Sequence, residues 1–250
     1  VRRRLSRLKG GGLAGALGSR GVTGLLISDV EGDDPAVIGS GPLNLPAGTQ
    51  LPEGLPDWLL EMLPSEAVEP DATGPAPRVV LVATLDDALA AAAAELRTQG
   101  LQVDRHSPHL GGDLLEVVDL VDRTLRAEPG VAHLWGGEAT VVLPPDPGRG
   151  GRNQQLALHL ARVISGPGPA VALCAGTDGT DGPTDDAGGL VDNLTADRGQ
   201  TEGLDLEDHL RRADAGSYLE QTGDLISPPP TAPHLPDLLL ASPPPHPPLA

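Results

Sequence analysis

Four short segments carry residue types able to grip a charged group and act on it. Residues 148–154 (GRGGRNQ) set Arg149 and Arg152 among glycines, directly ahead of a helical pattern. Guanidinium forks match carboxylate and phosphate oxygens in pairs. Gly150 and Gly151 let the backbone approach a ligand closely, and Asn153 opens a helix whose free N–H groups and positive dipole end suit an anion. A glycine turn with two solvated arginines is the plainer alternative. Residues 176–189 (GTDGTDGPTDDAGG) follow an aliphatic strand pattern. Ligand sites in open α/β sheets lie beyond the carboxyl ends of strands, where this loop begins. Asp178, Asp181, Asp185 and Asp186 offer hard oxygen donors for Mg2+ or for orienting hydroxyls, with Thr184 a further candidate contact. The D-x-x-D-G spacing lacks the alternating ligands and terminal Glu of a calcium-binding hand. A plain acidic surface turn stays open as the alternative.

Residues 28–42 (SDVEGDDPAVIGSGP) again join a strand end to carboxylates and a tight turn. Asp29 at the strand end is the better metal candidate, whereas Asp33 and Asp34 could merely cap the next turn. Ser40 and Gly41 are candidate phosphate or substrate contacts. The fourth segment is Gly136-Gly137-Glu138, where Gly137 and Glu138 sit at a turn between strand patterns.

Several chemistries are absent from the sequence. No G-x-x-x-x-G-K-[ST] provides a P-loop, and no G-x-G-x-x-G opens a helix after a strand. G-x-S-x-G is missing, and Cys174 falls mid-strand, where a core thiol is expected rather than a nucleophile. The seven histidines form no H-x-x-x-H or Cys/His cluster, so spacing gives zinc little support. His106 and His109 are expected to face solvent.

The elements that must position these segments alternate β and α. Strand patterns fall at 24–29, 79–84, 102–106, 131–135, 140–143, 170–175 and 238–241. Helical patterns fall at 85–99, at 114–125 behind the cap Asp113, and at 153–164, with short turns at 2–9 and 57–63. This order predicts mostly parallel sheets with crossover helices, an α/β fold. The expected division is residues 1–127, with a linker over 64–77, then 128–242 and a Pro-rich tail over 243–250.

Aromatic residues make up 1% and Phe is absent, so the core must be aliphatic, as in parallel sheets. The net charge of −18 repels phosphate backbones and anionic lipid, which argues against nucleic acid and membrane partners. One cysteine allows no intrachain disulfide, and no apolar run is long enough to span a bilayer; a reducing, cytoplasmic setting is expected.

Taken in order, RRRLSRLKGG (2–11), ISDVEGDDPAVIGSGP (27–42), WGGEATV (135–141), GRGGRNQ (148–154) and AGTDGTDGPTDDAG (175–188) resemble the glycerate 2-kinase family, whose C-terminal part is called the MOFRL domain. SYLEQTGDLI (217–226) adds a weaker match. The resemblance implies a partial Rossmann-like domain followed by a smaller MOFRL-like α/β domain, and a chain truncated at its N-terminal side. It implies phosphorylation of D-glycerate to 2-phosphoglycerate with ATP and Mg2+, and it is compatible with a homodimer. Arg152 would then neutralise charge on the carboxylate or transferring phosphoryl group. Asp178 and Asp181 would lie near metal or substrate, with Asp29 and Ser40 on the opposite wall. The sequence departs from the family at Trp135 for Ser, Gln155 for Glu, TAPHLPDL (231–238) for TGTNVNDL, and in lacking the upstream GKA-like lysine. The alternatives are a non-catalytic remnant binding a small carboxylate or nucleotide, and a hydroxypyruvate reductase.

Overall fold

The computed structural model describes residues 1–44, 51–64, 75–107, 109–165, 170–231 and 234–242. Most of the expected linker over 64–77 and the whole of 243–250, with His246, fall outside the described residues. Two compact units are present, Val1–Thr84 and Leu85–Ala250. No helix among the described residues is long and apolar enough to cross a membrane.

The first unit holds short helices α1 (Arg2–Leu5) and α2 (Gly12–Leu17), strand β1 (Thr23–Ile27), a 3-10 turn at Ile38–Ser40, helix α3 (Asp57–Met62) and strand β2 (Arg78–Ala83). β1 and β2 pair in parallel from Thr23↔Arg78 to Leu26↔Leu81. Two strands cannot bury both faces. Leu25 is 68% exposed, against the expectation that 24–29 forms a buried strand. Motifs far apart in sequence meet here. The Gly10 N–H donates to the Ser40 carbonyl at 3.0 Å and the Gly11 N–H to the Gly41 carbonyl at 2.7 Å, so the KGG and SGP segments share a backbone ladder. Gly41 has φ 64°, and a Cβ there would stand 2.6 Å from the Ala36 carbonyl oxygen, which excludes any other residue.

The second unit begins with α4 (Leu85–Thr98), β3 (Gln102–Arg105), α5 (Leu114–Ala127), β4 (Val131–Gly137), α6 (Arg152–Ile164) and β5 (Val171–Ala175). It continues with β6 (Gly188–Asp192), α7 (Thr195–Thr201), α8 (Leu206–Arg211), α9 (Ala215–Thr222), β7 (Leu225–Ile226) and β8 (Asp237–Ser242). Asp113 caps α5, accepting the Leu115 N–H at 2.8 Å. Leu114, Val117, Val118 and Val121 form its buried stripe, each contributing about 1.5–3 kcal/mol on burial. On the opposite face of the sheet α4 buries Leu85, Leu89 and Ala93 beside Leu134.

The strand order is β3-β4-β8-β5-β6-β7. The α/β class is as expected, but the mostly parallel sheet is not. Sheet β1–β2 is parallel, but within the six-stranded sheet only β3–β4 pair in parallel, and its other four ladders are antiparallel. Crossover through α5 and α6 does make β3, β4 and β5 run the same way. β8 then enters between β4 and β5 in the opposite sense, which periodicity alone cannot reveal. The strand expected at 140–143 is also absent: Thr140 makes one isolated bridge to Asp113, and Val142 is 87% exposed. Pro144 and Pro145 follow immediately, and neither can donate to a ladder. His106 does not simply face solvent. Its ring stacks on Trp135 at 4.5 Å and 9°.

Candidate active site

Helix α6 runs through the centre of the second unit and buries nearly its whole circumference, including Asn153, Gln154 and Gln155. Buried amides need partners. Gln155 donates to the Leu210 carbonyl and Gln154 to the Thr184 hydroxyl, both at 2.8 Å. Thr184 is therefore a strut between α6 and the acidic loop rather than a wall of the cavity. At the N-terminus of α6, Asp181 accepts the backbone N–H of Asn153 at 3.0 Å and of Gln154 at 2.8 Å. These N–H groups were expected to be free for an anion. Asp181 already occupies them. Burial pushes the Asp181 carboxyl up to about 6, against the two N–H donors that favour its charge.

Gly151 enables this closure. A Cβ there would lie 2.3 Å from Asp181 Cγ, so the two turns touch backbone to side chain. Their meeting forms a cavity of about 440 Å³ whose walls include Gly150, Arg152, Asn153, Asp178, Asp181 and Asp237. Arg152 and the Asp178–Asp181 turn, 26 positions apart at their nearer ends (178 − 152), thus face one space.

Arg152 is held on two sides. Its Nε donates to Asp237 Oδ2 at 2.6 Å, and its terminal nitrogens meet Glu138 at 3.0 and 3.1 Å. Burial would lower the Arg152 pKa, but Asp237 and Glu138 outweigh it and raise it above its ordinary value. Asp237 is itself pushed up by burial, with Arg152 opposing. Asp178 behaves differently. Burial is the largest single influence and raises it, yet the Thr180 N–H and hydroxyl and the His234 ring together outweigh it and hold the carboxyl below the usual range, so it stays ionised. His234 Nδ1 stands 3.0 Å from Asp178 Oδ2.

The other candidates have different partners or belong to the first unit. Arg149 does not line the cavity; its guanidinium binds Asp186 at 2.6 Å and Glu220 at 2.7 Å, stapling the acidic loop to α9. Gly137 pairs with Asp237 across β4–β8, which brings Glu138 to Arg152. Asp29, exposed just beyond β1, and Ser40 and Gly41 belong to the first unit. Asp237 and His234 carry no motif of their own. The only signal for Asp237 was an acid at the start of an aliphatic strand, and His234 stood only as a departure from the family.

Mg2+ takes oxygen ligands and commonly binds through one or two carboxylates together with substrate phosphates. Asp178, ionised and part-exposed, fits that use. Asp181 fits it poorly because both oxygens cap α6. The cavity carries one arginine against Asp178, Asp181 and Asp237, so a bare polyanion would be repelled and a cation-bearing one accepted. Among the described residues, the one His/Cys/Asp/Glu group gathered tightly enough to hold an ion is Asp104, His106 and His133.

The MOFRL family matches residues 131–237, and a domain of unknown function (DUF4147) matches residues 1–51. A D-glycerate 2-kinase of Thermotoga maritima is 33% identical over 96% of this chain and 61% of its own length. A glycerate kinase of Macaca fascicularis is 30% identical over 87% and 70%, and a putative hydroxypyruvate reductase of Agrobacterium vitis 34% identical over 95% and 58%. The crystal structure of a glycerate kinase from Thermotoga maritima superposes with a TM-score of 0.82 at 29% identity, covering 97% of this chain and 62% of that one. The chain spans about three fifths of the length of the first two curated relatives it matches. With the motif series falling inside the two matched regions and the fold shared, the chain belongs to the glycerate 2-kinase family.

Proposed function

We propose that the protein transfers the γ-phosphoryl group of ATP to the 2-hydroxyl of D-glycerate, giving ADP and 2-phosphoglycerate, with Mg2+ carried on the phosphates. The observation that supports this most is the shared cavity of Arg152 and the Asp178 turn. Phosphoryl transfer asks the protein mainly for positioning and for neutralising spread negative charge. Arg152 supplies the fixed positive fork. Its exposed partner Glu138 is a weak, displaceable placeholder, while buried Asp237 keeps the guanidinium aimed when an anion takes Glu138's place. Mg2+ would neutralise phosphate charge, with Asp178 its best-suited carboxylate here.

In the transfer, the bond from the glycerate 2-oxygen to phosphorus forms as the β–γ bridging bond of ATP breaks. The hydroxyl proton passes through water to solvent as the new bond forms, since the depressed pKa of Asp178 suits it to holding a cation rather than to acting as a strong base. The setting proposed is the reducing cytoplasm, where Cys174 stays a thiol. Nothing in the cavity geometry favours the reductase reading, and no dinucleotide fingerprint opens a helix.

The test is D-glycerate-dependent ADP release with Mg2+, the product passed directly to enolase, which accepts 2-phosphoglycerate and not its 3-isomer. ATP and glycerate binding by calorimetry without ADP release would instead indicate the non-catalytic reading. NADH oxidation with hydroxypyruvate would indicate the reductase.

A further inference from the structure

Parallel pairing of β3 with β4 brings together three donors that sequence spacing keeps apart. Asp104 lies opposite His133 in the ladder, and His106 follows two residues after Asp104 on the same face. His106 Nε2 stands 2.9 Å from His133 Nδ1 and 3.8 Å from Asp104 Oδ2. All three donor atoms lie within 4.8 Å of one another. The burial is graded, with Asp104 exposed, His106 intermediate and His133 completely buried.

We propose that Asp104, His106 and His133 form a binding site for a divalent transition ion of the zinc type, tying the edge strand β3 to β4. A tetrahedral ion bonded at about 2.0–2.1 Å sets its ligand atoms about 3.3–3.4 Å apart. Two of the observed separations, 2.9 and 3.8 Å, bracket that value and the third pair lies within 4.8 Å, so side-chain shifts of about 1 Å would complete the geometry. Two imidazole nitrogens facing each other need something positive between them: a proton shared as a hydrogen bond, or a metal taking both lone pairs.

Trp135 stacks on His106 and limits the orientation of its ring, while the His106 backbone N–H donates to the Leu134 carbonyl at 2.9 Å, holding the residue in the ladder beyond β3. Two imidazoles and one carboxylate suit zinc, cobalt, nickel or iron rather than Mg2+. Three protein ligands leave a fourth position for water. None of the three residues lines the Arg152 cavity, so the site is independent of the phosphoryl-transfer proposal.

The test uses the tag-free full chain freed of metal by a chelator. Calorimetry with Zn2+ should show one equivalent bound, and Co2+ should give visible d–d absorption together with quenching of Trp135 fluorescence. His106→Gln should weaken Zn2+ binding by at least about 100-fold, because removing a ligand exceeds the loss of an outer-shell partner. Asp104→Asn should weaken it by at least about tenfold, and Asp178→Asn should not change it. Circular dichroism verifies that His106→Gln is folded; if it is not, the exposed Asp104→Asn decides. No bound equivalent, binding unchanged in the folded ligand variants, or binding lost in Asp178→Asn instead would overturn the proposal.

Discussion

Asp181 closes the first turn of α6 by accepting the Gln154 backbone N–H at 2.8 Å, and it does so from a position only 3% exposed. An unfolded aspartate titrates near pH 3.9, whereas in the fold this carboxyl is pushed up to about 6. The folded chain therefore holds the proton across a window in which the unfolded chain has released it. The associated stability is fully present below about pH 3.9 and is lost as pH rises through about 6, at most about 3 kcal/mol. Asp181→Asn cannot titrate there. Urea midpoints measured in pH steps should show the wild-type advantage over Asp181→Asn shrinking from about pH 4 to about 6, then levelling. A flat difference would mean that this proton is not linked to folding.

Removing the Arg152 fork should strike both chemistry and structure. Arg152→Ala should raise the barrier by about 2–4 kcal/mol, as loss of an oriented charge at a developing anion does. It also strands buried Asp237, so a stability loss of about 1–3 kcal/mol should accompany it. Steady-state rates at saturating ATP and D-glycerate, corrected for folded fraction, separate the two. An unchanged corrected rate removes Arg152 from catalysis.

Arg149 should behave oppositely, although it shares the same motif. Its guanidinium is engaged by Asp186 and Glu220, outside the cavity walls. Arg149→Ala should cost about 1–2 kcal/mol in denaturation while kcat/KM per folded molecule changes less than about threefold. A large KM increase for ATP would return Arg149 to the site.

The distinction between these two arginines marks where sequence stops being legible. Both sit at one strand-to-helix turn, and the chemistry of a guanidinium is visible in its letter. Which one reaches the cavity depends on Asp186, Glu220, Asp237 and Glu138, and those contacts arise only once β4, β8 and α9 are placed. The α5 stripe and its Asp113 cap are written locally at helical spacing, so they were readable. Little local pattern marks β6, α7, α8 and α9 within residues 188–222: each is short, and buried small or polar residues such as Gly188, Gly189, Thr195 and Gly199 interrupt the buried apolar ones such as Val191, Leu210 and Leu219. Ladder partners such as Asp104 and His133 are invisible for the same reason: cross-strand register is a property of the pair.

Cys174 offers a direct check of packing behind the site. It is fully buried, and burial, then the charges of Asp181 and Asp237, raise its pKa well above the free value. Since the thiolate is the reactive form, a thiol reagent should modify it far more slowly in the native protein than in guanidinium chloride. Comparable rates would mean that β5 opens readily.

Gly151→Ala tests the contact that brings the two turns together. With Asp181 Cγ only 2.3 Å from the added methyl, one turn must retreat. A loss of about 1–3 kcal/mol should appear in denaturation, together with weaker nucleotide binding. Full retention of both would show that the turns have slack.

The place of β8 between β4 and β5 also governs when the second unit can come into being. During synthesis β4, α6 and β5 emerge long before residues 237–242, leaving two aliphatic strands with open sides and no neighbour in the required direction. Such a nascent intermediate invites stray pairing and chaperone capture. Completion of the sheet therefore waits on six late residues that must thread home last, a long-range closure that slows maturation.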